Sequence, residues 1–153
     1  MKRWLSALLL FSSILFSFGF SIESKTVKPN SGQLFLQLKN IRNKNGVIYV
    51  FLYNYENQYP KAPLTYYKVQ KSNMKNGYLK VKISDVTFNY NYAITLIDDE
   101  NDNEDLDRIL GIPTEGFGFS NNIRPIFSLP KYNELLFNFN SEKTIPIDLQ
   151  YFL

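Results

Sequence analysis

Apolar residues at every second position, in short runs cut by turn residues, restrict the fold of this chain more than any other feature. Leu34, Leu36 and Leu38 alternate with Phe35, Gln37 and Lys39, the period of a half-buried strand. Leu79, Val81 and Ile83 alternate with Lys80, Lys82 and Ser84, and Tyr92, Ile94 and Leu96 with Ala93, Thr95 and Ile97. Val47 to Tyr53 is apolar on both faces, Ile48-Val50-Leu52 on one and Tyr49-Phe51-Tyr53 on the other. Leu64 to Val69 reads as a short edge strand after a loop bracketed by Pro60 and Pro63. Leu135, Phe137 and Phe139 form one late face, and Ile145, Ile147, Leu149 and Tyr151 another, where Pro146 implies a sheet edge. Asn43-Lys44-Asn45-Gly46 predicts a hairpin between the first two runs, and Asn76-Gly77 a second turn. After residue 21 no stretch of ten or more residues carries a helical apolar repeat. The expected fold is all-β: an antiparallel immunoglobulin-like or prealbumin-like β-sandwich of about seven strands.

The start of the chain reads as an address. Met1-Lys2-Arg3 is basic, and Trp4 to Phe20 is uncharged and rich in leucine and phenylalanine, the two regions of a secretory signal peptide. Small residues at Gly19 and Ser21 place the cut after Ser21. The expected organisation is a signal peptide over 1–21, a flexible polar segment over 22–32, and one β-sandwich domain over 33–153. The uncharged run is shorter than the ~20 residues of a bilayer span, so no stable transmembrane span is expected after cleavage. The expected destination is the periplasm, the cell envelope or the medium. Cysteine and histidine are both absent, which excludes disulfides, thiol catalysis, a lipoprotein anchor and histidine relays.

Charge is unevenly placed. The formal net charge is +3, yet Asp98, Asp99, Glu100, Asp102, Glu104, Asp105 and Asp107 crowd half of the 14 acids into one segment. Asp99, Asn101, Asn103, Asp105 and Asp107 stand at alternate positions, as in a loop that wraps Ca²⁺ with oxygen ligands. Glu104 and Leu110 occupy the places where an EF-hand has its glycine and its bidentate glutamate, and Glu115 is the nearest substitute for the latter. The competing reading is an Asx-rich surface turn that caps its own backbone. A carbohydrate-active hydrolase could also draw on these carboxylates, but no pair is set across a cleft by the sequence. Ser72-Asn73-Met74-Lys75 has the S-x-x-K spacing of serine hydrolases without a helix to carry it or a companion motif. The lysines are dispersed over strand positions, and nucleic acid is not an expected partner.

Gly116-Phe117-Gly118-Phe119 reads as a lid over the aromatic face of strand 47–53, closing a second small core. The alternative leaves that face open as a ligand or partner surface made of Tyr49, Phe51, Tyr53, Phe117, Phe119 and Asn121, with Asn122 and Arg124 on its rim. The expected function is thus an exported non-enzymatic binding or structural module. Its expected partner is an envelope protein or a glycan, with Ca²⁺ as the one candidate cofactor. A small-ligand carrier and a hydrolase are the alternatives.

Tyr92-Ala93, the run Asp99-x-Asn101-x-Asn103-x-x-Leu106-Asp107, and Gly111-Ile112-Pro113-x-Glu115-Gly116-Phe117-Gly118-Phe119-Ser120-Asn121-Asn122 together resemble the exported bacterial family called domain of unknown function 2141. The resemblance implies an exported β-sandwich and no particular activity. The family loop usually reads His-Asp-Glu-Asn-Gly-Asn-Gly. Here Asp98 replaces the histidine, and Asp102 and Glu104 replace the glycines. The oxygen-bearing side chains at 99, 101, 103 and 107 are kept.

Overall fold

The computed structural model describes residues 30–125 and 128–153. The expected signal peptide, 1–21, and residues 22–29 of the polar segment lie outside them. The fold is all-β, with no α-helix among the described residues. In the first sheet β1 (Ser31–Lys39) lies between β4 (Leu79–Thr87) and β10 (Lys143–Asp148). In the second the order is β3 (Thr65–Gln70), β2 (Val47–Tyr53), β5 (Tyr90–Asp99) and β8 (Gly116–Phe119). The start of β5 also pairs with β9 (Phe137–Phe139), and β6 (Arg108–Ile109) and β7 (Ile112–Pro113) form a small separate ribbon.

The predicted strands form over most of their lengths, but boundaries and partners depart from expectation. β1 starts at Ser31, so Ser31 and Gly32 belong to a strand rather than to the polar segment. The Asn-Gly turn at 45–46 does not make a hairpin, because β1 and β2 lie in different sheets. Face polarity explains the sorting. β1 and β4 are apolar on one face only, with Gln37, Lys80 and Lys82 on the other, whereas β2 is covered on both faces and needs a central place. Gly46, at φ +63°, passes so close to β5 that a Cβ would sit 1.9 Å from the Asp99 carbonyl oxygen. Next, β10 runs parallel to β1, with Gln37 opposite Pro146, so the expected purely antiparallel arrangement is corrected. Pro146 does lie on an edge strand and is exposed, as its missing N–H requires.

A further correction concerns the glycine-aromatic run. It is not a lid but the edge strand β8, paired with β5 so that Phe119 is opposite Thr95 and Phe117 opposite Ile97. The second small core does exist. Tyr53, Ala93, Phe117, Phe119, Tyr132 and Leu135 are buried together on the outer face of the second sheet. The cover is the 3₁₀ turn Tyr132–Leu135, which takes Leu135 out of its predicted strand. The main core lies on the facing sides of the two sheets. Leu36 and Ile83 from the first meet Ile48, Leu52 and Leu96 from the second, each no more than 2% exposed. Burying one such side chain is worth about 1.5–3 kcal/mol, and this sets the frame that holds the loops.

Candidate acidic loop and aromatic cleft

The acidic segment leaves the sheet at the end of β5. Asp99 is fully buried there, on the face opposite Asp98. Its Oδ1 accepts the Asn103 backbone N–H at 3.1 Å and its Oδ2 that of Glu104 at 2.8 Å. Asn101 Oδ1 accepts the N–H of Asn103 at 3.1 Å, and Asn103 Oδ1 that of Asp105 at 3.0 Å. These are successive Asx turns, and they carry Asp102 and Glu104 into the left-handed region at φ +60° and +67°. The amides of Asn101 and Asn103 both donate to the Asp107 carboxylate, at 2.6 and 3.0 Å. Four predicted side chains, at 99, 101, 103 and 107, therefore come together.

Two others do not join them. Asp105 is exposed and accepts the N–H of Leu106 at 2.7 Å. Glu115 is 4% exposed and closes the neck of the loop, with Oε1 on the Glu100 N–H at 2.8 Å and Oε2 on the Asp107 N–H at 3.1 Å. Arg42 pairs with Glu100 at 2.6 Å and Lys68 with Asp102 at 2.8 Å. Crowded charge is thus offset mainly by backbone donors and by two basic side chains at the margin. Among the described residues no three acidic side chains group as a metal cage. The convergence is of two carboxylates and two amides.

Beside the loop, the outer face of the second sheet is only partly covered. Phe51, Thr95, Ile97, Phe117 and Phe119 form the floor of a cleft of about 850 Å³, with Tyr59, Pro63, Leu106, Ile112 and Phe152 around it. Phe117 packs on Phe119 and on Phe152, at ring-centroid distances of 5.8 and 5.1 Å. The Tyr59 hydroxyl is buried and has no hydrogen-bond partner among the described residues. Burial pushes it up to about 12, so at neutral pH it keeps its proton and is a hydrogen-bond donor.

Of the predicted ligand surface, Phe51, Tyr53, Phe117 and Phe119 line this cleft. Tyr49 lies apart, in a hollow of about 300 Å³ with Tyr66, Lys68 and Glu104, where its hydroxyl donates to Glu104 at 3.4 Å. Asn121 is spent on structure. At φ +61° its amide donates to the carbonyls of Glu134 and Leu136, at 2.9 and 3.1 Å. Asn122 likewise accepts the Asp148 N–H at 2.8 Å.

A family model described as "Uncharacterized protein conserved in bacteria (DUF2141)" matches residues 36–146. The chain belongs to this family. No curated protein and no solved structure matches it. The match runs from inside β1 to inside β10, so both sheets, the acidic loop and most of the cleft belong to the DUF2141 part of the chain.

Among the cleft residues of this DUF2141 protein that sequence reasoning missed are Tyr59, Ile112 and Phe152. Each sits outside a long alternating run, so nothing in periodicity marked it. Sequence reasoning also missed Lys71 and Tyr151 as partners of Asp98. The available signal was Asp98 itself, which falls on the core row of Tyr92, Ile94 and Leu96, where a carboxylate needs a partner.

Proposed function

We propose that this DUF2141 chain is an exported, non-enzymatic binding module. Its signal peptide, residues 1–21, is removed on the way to the periplasm, the envelope or the medium. Its two sheets form a β-sandwich of the immunoglobulin-like or prealbumin-like kind. One observation carries the reading: a cleft lined by the rings of Phe51, Tyr53, Phe117 and Phe119, with the Tyr59 hydroxyl, unpartnered among the described residues, at its margin. Apolar lining with one fixed polar group is the usual make-up of a small-molecule site. The ligand class is a flat or ring-bearing apolar molecule with a hydrogen-bond acceptor for Tyr59. Among the described residues no helix is long and apolar enough to cross a membrane.

Nile red, an apolar dye with a carbonyl acceptor, tests this reading. Titration into the purified protein should give saturable fluorescence with one site. Thr95 lies on the floor between Phe51 and Phe119, and Thr95→Trp should weaken binding about tenfold or more. Dye binding that is absent, or unchanged in Thr95→Trp, would reject the cleft as the site.

A second reading has its own support. The Asn101 and Asn103 amides meet at Asp107, beside Asp99. Each carboxylate oxygen has a second lone pair free for a cation. We propose that Ca²⁺, when bound, takes oxygens from Asp99, Asn101, Asn103 and Asp107 and stiffens the loop. Millimolar Ca²⁺ should then raise the melting temperature by mass action, and Asp107→Ala should abolish the rise. A melting curve indifferent to Ca²⁺ would leave the loop as a self-capped turn.

A further inference from the structure

Lys71 and Asp98 are both fully buried, with Nζ 2.5 Å from Oδ1. Lys71 immediately follows the edge strand β3, and Asp98 is near the end of the central strand β5, opposite Ile48 of β2 and Gly116 of β8. Because β2 lies between β3 and β5, the lysine side chain reaches across it to the carboxylate. The second carboxylate oxygen, Oδ2, accepts the Tyr151 hydroxyl at 2.6 Å. Gly116 makes room for this contact, since a Cβ there would sit 2.4 Å from the Tyr151 ring.

As a plain ion pair this arrangement is poorly served. An ammonium has three donors, and among the described residues Lys71 Nζ finds only Asp98. Removing both ions from water costs several kcal/mol each, offset only where further hydrogen bonds complete the site. Burial pushes the Asp98 carboxyl up, against the opposing pull of Lys71 and Tyr151. A proton passed along the short Nζ–Oδ1 contact would leave a free amine beside a neutral acid.

We infer that Lys71 and Asp98 condense into an intramolecular isopeptide bond. The free amine of Lys71 adds to Asp98 Cγ, forming the Nζ–Cγ bond. The Cγ–Oδ2 bond breaks. The acid proton and one amine proton end on Oδ2, relayed by the Tyr151 hydroxyl, and Oδ2 departs as water. Nothing is oxidised or reduced, and no co-reactant is needed. Burial and the Asp98 carboxylate make the tyrosine hydroxyl a weaker acid than usual, so it returns to its protonated form after the relay. The product is a secondary amide, which carries no charge and needs fewer partners in a dry site. It ties the end of β3 to β5 in a chain that has no cysteine for a disulfide.

Intact mass spectrometry of the purified full-length protein, with its N-terminus determined, tests this directly. The folded wild type should be lighter than its sequence by the mass of one water. A tryptic digest should give a branched peptide joining Val69–Lys75, uncut at Lys71, to Ile83–Arg108. Lys71→Arg keeps a cation in place and should restore the full mass. Tyr151→Phe should slow or stop bond formation, and a fully bonded Tyr151→Phe protein would remove the relay from the scheme. A wild type at full mass, cleaved at Lys71, would overturn the proposal and leave an ordinary ion pair.

Discussion

Asp98 and Asp99 are chain neighbours with the same exposure, zero, on opposite faces of one strand, and they are stabilised in opposite ways. Asp99 is held by the next few residues: the N–H groups of Asn103 and Glu104 close on it as the loop turns. Asp98 is held by Lys71 and Tyr151, which are 27 and 53 residues away along the chain. A local carboxylate needs only its own loop to form. A distant one needs the whole fold first, and leaves a larger penalty when its partner is lost.

Single substitutions can break or sharpen this contrast. Lys71→Ala leaves Asp98 buried without its partner, whether charge or a bond holds the two together, and should cost at least about 3–5 kcal/mol in urea unfolding. Asp99→Ala strips the acceptor from two backbone donors and should cost about 2–3 kcal/mol in the same assay. A cost for Asp99→Ala equal to or above that of Lys71→Ala would erase the distinction. Gly116→Ala probes the distant set from its packing side. Its Cβ forces the Tyr151 ring away from Asp98, for about 1–3 kcal/mol, read by thermal melting and by the loss of any protection of Tyr151 from modification.

The smallest effect belongs to the exposed margin of the loop. Burial raises the Glu100 carboxyl, but the hydrogen bond and charge of Arg42 outweigh it, and the folded value lies below the ordinary 4.5. Stability from this pair is therefore complete above that pH and is lost as pH falls through the lower folded value. Arg42→Ala should cost about 1 kcal/mol or less at neutral pH. Its unfolding curve should converge on the wild type as the medium is acidified through that lowered value. A constant gap between the two curves would show that Arg42 acts instead through its contacts with the carbonyl oxygens of Thr114 and Leu153.

The same division governs what could be read from the chain. The alternation in β1, β4 and β5 was enough to find those strands and their buried rows, since side-chain period follows from backbone pleat alone. The loop at 99–107 was legible because Asx turns are made by residues two to five apart. Pairing was not. The Asn-Gly signal at 45–46 set a turn but not a hairpin, because the polarity of whole strand faces decided which sheet each strand entered. The glycine-aromatic run was mistaken for a lid because Gly116 and Gly118 look like hinge residues. Their real constraint is contact with Tyr151 and Ile147.

Sequence alone determined that this protein is built of strands, that it lacks thiol and imidazole chemistry, and that its negative charge gathers in one self-turning loop. Only the tertiary structure decided that Lys71 and Tyr151 would meet Asp98, and that Phe51, Thr95 and Phe119 would line up as a cleft floor. Local patterns are written by covalent geometry over a few residues. Long-range meetings depend on how complete faces share a limited interior, a property of the folded chain as a whole.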